Sequence, residues 1–155
     1  MRIRKAKKSD AKEISKLRIN TLKKINSKDY SKEQIAALIK SNKVNDTIRR
    51  MNDRDMFCLL MDNKIIGVVD LKVNRIGGFY IKSNLINKGY GKIMLDFIEN
   101  HARKKGIKKL ILFPSKYAEK FYKKYGYKIV KSNKRYNTIL INNVEFKWIK
   151  MEKKI

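Results

Sequence analysis

The 155-residue chain has one cysteine, one proline, one histidine and one tryptophan, and only 14 acidic residues against 40 lysines and arginines. Each scarcity excludes something. A lone thiol, Cys58, closes no intrachain disulfide, which rules out a disulfide-stapled scaffold and suits a reducing, cytoplasmic setting. Its place in the apolar run Met56–Met61 reads as a small buried core residue and not as a nucleophile. With one proline, no repeat and no low-complexity linker, one domain over 1–155 is expected, long enough to bury a core. No apolar run approaches the ~20 residues of a membrane span. The start, Met1-Arg2-Ile3-Arg4-Lys5, lacks the apolar segment of a secretory signal. Neither membrane association nor a metal is expected.

What is abundant is positive charge, +26 in all. Such a field attracts any polyanion, whether nucleic acid, acidic membrane or phosphorylated cofactor. The basic residues are spread along the chain, and lysine, asparagine and isoleucine are all plentiful, as a compositional bias would give. Charge by itself decides no function.

Periodicity and punctuation give the elements. Residues 2–6 read as a strand, and Ser9 or Asp10 caps a helix carrying Ile14, Leu17, Leu22 and Ile25. Ser31 and Gln34 form a capping-box pattern for a helix to about Ser41. Residues 42–55 read as polar and irregular, with a short turn around Thr47–Met51. Strands 56–61 and 65–73 flank the hairpin signal Asp62-Asn63-Lys64. Strand 76–82, helix 89–105, strand 108–113, helix 115–125, strand 127–131 and strand 144–152 follow. The order predicts an α/β (α+β) fold, a mixed, mostly antiparallel sheet of about seven strands with helices on both faces.

Between a strand and a helix lies Leu85-Ile86-Asn87-Lys88-Gly89-Tyr90-Gly91-Lys92. Glycines at such a turn let backbone N–H groups approach a ligand, and the helix N-terminus favours a phosphate. About two dozen residues on comes a second cluster. Lys109–Phe113 is an apolar strand, Pro114-Ser115 open a helix, and Ala118, Phe121, Tyr122 and Tyr125 lie on it before Gly126.

Together these clusters resemble the GNAT superfamily of N-acetyltransferases, whose signature pairs a Q/R-x-x-G-x-G/A loop with a later A-x-x-F-Y-x-K-x-G-F/Y segment. Here they read Ile86-Asn87-Lys88-Gly89-Tyr90-Gly91 and Ala118-Glu119-Lys120-Phe121-Tyr122-Lys123-Lys124-Tyr125-Gly126-Tyr127. The resemblance runs from Ile3–Ala11 to Trp148–Lys153.

The resemblance implies acetyl transfer from acetyl-CoA to a primary amine of a small molecule or peptide. The amides of Asn87, Lys88, Gly89, Tyr90, Gly91 and Lys92 would cradle the pyrophosphate. The Lys88 and Lys92 side chains read equally well as solvated surface. The main chain of Phe79-Tyr80-Ile81 would hold pantetheine and orient the thioester, and Ser115 and Ala118 would also meet the cofactor. Tyr122, in register with the family's tyrosine, would protonate the departing thiolate.

Two departures stand out. Ile86 replaces the usual Gln or Arg, and Arg75-Ile76-Gly77-Gly78-Phe79 carries no glutamate to serve as base. Asp29, Glu33 and Asp70 are carboxylates elsewhere, and Tyr30 or Tyr80 could hold a water, but no base is assigned. The stretch Asp29-Tyr30-Ser31-Lys32-Glu33-Gln34-Ile35 resembles that of a poorly assigned bacterial and archaeal subgroup. Tyr30, Glu33 and Asp70 are therefore the expected acceptor-pocket residues. His101, beside an apolar helix face with no evident partner, reads as packed or surface. A homodimer is allowed, because the last strands of such folds commonly pair. The rival reading is a basic nucleic-acid- or ribosome-associated module without catalysis, although no nucleic-acid motif is present and non-specific binding through charge is the most that is implied.

Overall fold

The computed structural model describes residues 1–130 and 136–155. Its strands and helices follow in the order β1 Arg2–Lys5, α1 Ala11–Lys24, α2 Lys32–Lys40, α3 Val44–Asp53, β2 Asp55–Met61, β3 Lys64–Lys72 and β4 Arg75–Ile81. After these come α4 Tyr90–Lys104, β5 Lys109–Leu112, α5 Lys116–Lys124, β6 Lys128–Ile129, β7 Asn137–Ile141, β8 Val144–Trp148 and β9 Met151–Lys154. Seven strands form one sheet in the order β1-β2-β3-β4-β5-β9-β6, antiparallel except at β4–β5. The expected mixed sheet is present.

Strand alternation sorts the core to two faces. Met56, Cys58 and Leu60 of β2, with Ile65 and Val68 of β3, pack against Ile14 and Leu17 of α1. Phe57 and Leu59, with Ile66, Val69 and Leu71, pack against Met94, Leu95, Ile98 and Ala102 of α4. Helices thus cover both faces. Each fully buried aliphatic side chain contributes roughly 1.5–3 kcal/mol. His101 packs its ring against Phe57 and Phe97 at the rim of this core, with its Nε2 2.9 Å from Asp55 Oδ2.

Three readings need correction. The stretch 42–55 is not irregular, because Val44–Asp53 is a ten-residue helix. Its inward face mixes Thr47 and Arg50 with Met51, too little apolar periodicity to register. The second correction concerns strand 144–152, which is two strands. Val144, Phe146 and Trp148 share one face, then Ile149 and Met151 take the other parity, and the chain changes sheets at that slip. β8 pairs with β7 in a separate hairpin, while β9 returns to β5. Asn142 and Asn143, at φ 48° and 63°, make the β7–β8 turn, a signal of the same kind as Asp62-Asn63 at 48° and 60°. Finally, strand 127–131 is reduced to Lys128–Ile129, and residue 131 lies outside the described residues.

Two features position the site. β4 and β5 share a single register pair, Arg75↔Ile111, and beyond it β4 continues with β3 alone. On its other side, β4 bulges opposite Val69, where Gly78 sits at φ 54°.

Candidate active site

The splayed strands open a cavity of about 1070 Å³, walled by β4, the start of α4, α5, the loop before α2 and the β7–β8 hairpin. The hairpin is fixed to α2 by Gln34 Nε2 donating to Glu145 O at 2.9 Å and Asn142 Nδ2 donating to Ala37 O at 2.9 Å. It contributes Ile139, Ile141 and Trp148 to the wall.

At one end lies the N-terminus of α4. Gly89, the N-cap, has φ 86° and open space within 4 Å of where a Cβ would stand. Only glycine adopts that backbone without strain, and no side chain caps the first amides of the helix. Gly91 has a different reason. A Cβ there would lie 3.1 Å from Phe121 Cε2, so this glycine lets α4 and α5 close on each other. Ile86, Asn87, Gly89, Gly91 and Lys92 line the cavity, whereas Lys88 is exposed away from it and the Tyr90 hydroxyl donates to Met61 Sδ at 3.5 Å. Lys92 Nζ pairs with Asp96 and lies 5.4 Å from the Tyr125 ring centroid. Lys120 and Lys124 of α5 add charge at this end.

Along the floor runs Phe79-Tyr80-Ile81. Lys82 N donates to Ile66 O at 2.8 Å, and Tyr80 stands opposite Val68. By strand alternation the Tyr80 main chain faces β3, and those of Phe79 and Ile81 face the gap left by β5. The Ile81 carbonyl accepts from Thr21 Oγ1 at 3.2 Å. Ser115 caps α5, accepting from Ala118 N, and both residues line the cavity.

Tyr122 stands on the cavity wall, 5% exposed, its ring packed against Phe79, Phe121 and Tyr127 at 6.1, 5.1 and 5.5 Å. Burial pushes its phenol well above the ordinary value, so it keeps its proton at neutral pH. Tyr30 also lines the cavity, accepting from Trp148 Nε1 at 2.7 Å, and burial pushes it up to about 12.

The expected carboxylates are not in the cavity. Glu33 is exposed on α2 and is not part of the lining. Asp29 accepts from Tyr117 N at 2.8 Å, tying the loop before α2 to the start of α5. Asp70 is fully buried and is held by three arginines. Arg18 Nη2 lies 3.1 Å and Arg50 Nη2 3.2 Å from its Oδ2, and Arg54 Nη1 lies 3.1 Å from its Oδ1. Among the described residues the lining holds no Asp, Glu or His, and no group of three His, Cys, Asp or Glu side chains could hold a metal.

The arginine group is what sequence reasoning missed. Arg50, Arg54 and Arg75 line the cavity at the start of β4, and Arg18 stands behind them, wholly buried. Burial and the charge of Arg50 push Arg18 down to about 10, which still leaves it charged at neutral pH. One signal was present. Asp70 is the single charge inside the apolar run Ile65–Leu71, and a lone buried carboxylate requires cationic partners.

The family model for the acetyltransferase (GNAT) domain matches residues 26–154. No curated protein sequence matches the chain. Among solved structures, a GCN5-related N-acetyltransferase from Rhodopseudomonas palustris superposes with a TM-score of 0.91 at 21% identity, over 99% of this chain and 95% of that one. PaiA N-acetyltransferase from Thermoplasma acidophilum, solved with coenzyme A, gives 0.80 at 22%, over 99% and 98%. An aminoglycoside 6′-N-acetyltransferase, also with coenzyme A, gives 0.68 at 14%, over 99% and 97%. These likenesses speak for the fold. The family match spans most of the chain, including the split β4–β5 pair and both signature segments, so the chain belongs to the GNAT acetyltransferase family.

Proposed function

We propose that the protein transfers the acetyl group of acetyl-CoA directly to a primary amine, with Tyr122 as general acid. The observation that carries this reading is that one cavity joins the uncapped α4 N-terminus, the unpaired edge of β4 and the Tyr122 side chain. These groups fit a thioester ligand with a phosphate tail. Amides of Asn87 through Lys92 and the charges of Lys92, Lys120 and Lys124 suit the pyrophosphate. Amide groups of β4 that face the gap suit the pantetheine and the developing oxyanion.

In this reading the amine lone pair attacks the thioester carbonyl carbon and the C–S bond breaks. The thiolate takes the Tyr122 proton, and the ammonium proton passes to water, from which the Tyr122 phenolate is reprotonated. A lining free of acids, with three arginines at one end, disfavours an ammonium ion and so lowers the pKa of the bound amine. That field supplies the deprotonated nucleophile without a carboxylate base. The two coenzyme A-bound relatives support the choice of thioester.

The test is release of free CoA thiol on addition of amines. Tyr122→Phe should lower kcat by about a hundredfold or more while acetyl-CoA still binds. Unchanged turnover would remove Tyr122 as the acid.

A further inference from the structure

The described lining holds no acid of its own, and positive charge exceeds negative at the start of β4. Asp70 brings one negative charge, while Arg18, Arg50 and Arg54 bring three positive charges onto it. Arg75 stands beside them, its guanidinium 4.6 Å from the Phe113 ring centroid. The other nearby acids are occupied on the far side of α3. Asp53 bonds Lys72 Nζ at 2.6 Å and also lies 3.9 Å from Arg54 Nε, and Asp46 pairs with Arg49. Both line a separate groove, whose inner wall is Arg50 and Arg54.

A buried carboxylate needs one or two partners. Three are a surplus, and the surplus is expensive: Arg18 Nε and Nη1, Arg50 Nε and Arg54 Nε are buried with no acceptor among the described residues. The fold accommodates the cluster with two glycines. A Cβ at Gly77 would lie 2.8 Å from Asp70 Oδ1 and 3.1 Å from Arg54 Nη1, and one at Gly78 would lie 2.2 Å from Asp70 Oδ2, 2.6 Å from Arg18 Nη2 and 3.2 Å from Arg50 Nη2. Both glycines line the cavity at the β4 bulge, so Asp70 and the guanidinium groups around it lie directly against the floor.

The phosphate end is elsewhere. It lies past the far end of β4, and Arg75–Ile81 spans seven residues, about 20 Å at the usual strand rise. The arginines therefore lie apart from the phosphate end.

We infer that Arg50, Arg54 and Arg75 bind a carboxylate on the acceptor, so the substrate is an amine carrying its own carboxylate, such as an amino acid or acidic small amine. Asp70 and Arg18 act through them as positioning residues. The planar guanidinium fork matches a carboxylate, and the Asp70 bonds and the Phe113 stack hold that fork in place before the ligand arrives. Polycations are disfavoured, because the described lining offers them no acid. This assignment rests on the acetyl-transfer reading above.

Two measurements test it separately from that reading. First, Trp148, the sole tryptophan, lines the cavity, so its fluorescence reports occupancy without turnover. Titration of the free protein with N-acetylated amino acids should be saturable, and about tenfold or more tighter than with their amides. Equal or absent binding overturns the carboxylate site even if acetyl-CoA binds and reacts. Second, kcat/KM is compared for amino acids, their amides, phosphoethanolamine and spermidine. Carboxylate amines should lead. In Arg75→Gln, which leaves every Asp70 bond in place, the carboxylate-to-amide ratio should fall about tenfold while the acetyl-CoA Kd holds. Arg54→Gln should do the same. Preference for spermidine or for amides, or an unchanged ratio in both variants, contradicts the inference. A lead for phosphoethanolamine assigns the arginines to phosphate and contradicts it as well.

Discussion

Arg18 Nη2 lies 3.1 Å from Asp70 Oδ2 with both side chains wholly excluded from solvent. The two residues are unequal partners. Asp70 has three arginines, whereas Arg18 keeps two buried N–H groups without an acceptor. Removing the carboxylate strands several cations, and removing Arg18 removes unmet donors along with its bond to Asp70 and a long one to Met56 Sδ. Asp70→Asn should therefore cost about 3–5 kcal/mol in urea unfolding, and Arg18→Met distinctly less. The reverse order would contradict this account of the cluster.

Gly78 makes that cluster possible. At φ 54°, with Asp70 Oδ2 only 2.2 Å from a Cβ, Gly78→Ala combines backbone strain with a clash against buried charge. Loss of about 2 kcal/mol or more is expected from unfolding curves. Gly106→Ala offers a control, since its φ is 76° but nothing lies within 4 Å, and only the backbone part should appear.

Tyr122 makes a prediction in pH. Burial raises its pKa, so the acid form persists across the accessible range. The kcat profile should rise as the bound amine loses its proton, with an apparent pKa below that of the free amine, and should have no falling limb from tyrosine. A bell with an alkaline limb near ~10, the pKa of an ordinary phenol, would contradict it.

Asp55 makes another. Bonds from Lys105 and then His101 hold its carboxyl down at about 2, against the ordinary 3.8. Its ionised form therefore stabilises the fold above 3.8, and that contribution is lost as pH falls through about 2. Solvent screens these partly exposed pairs, so Asp55→Asn should cost about 1 kcal/mol at neutral pH. The deficit should vanish in acid. A deficit independent of pH would mean that packing, and not charge, carries the effect.

Cys58 is fully buried on β2, and burial pushes its thiol up to about 12. A disulfide reagent at mildly alkaline pH should label it only as fast as the protein unfolds. Rapid labelling of the native protein would place the thiol outside the core.

Much of this molecule is legible in its sequence, for reasons that differ by element. α4 is visible because Met94, Ile98 and Ala102 recur on one buried face, and the strand–loop–helix glycines announce the turn. α3 is invisible because its inward face sets only Met51 beside Thr47 and Arg50, and the Arg50 partner Asp70 is 20 residues away along the chain. The cavity's aromatic wall at Phe121 and Tyr122 is legible through the resemblance of Ala118–Tyr127 to the family segment, since spacing by itself gives only a packed helix face. Asp70 looked like an acceptor-pocket carboxylate because nothing local reveals that Arg18, Arg50 and Arg54 converge on it. The β8–β9 break was written in the parity slip at Trp148-Ile149, but alternation resumes at once on either side, so the slip reads as easily as a bulge in one strand.

The central claim is that the cavity holds a thioester cofactor selectively, despite a charge of +26 that attracts any polyanion. Calorimetric titration of acetyl-CoA at physiological salt, with ATP as the polyanion control, tests it most directly. The account predicts saturable one-site binding of acetyl-CoA that ATP does not match. Equal binding of ATP, or no saturation, would contradict it and leave only charge attracting phosphates.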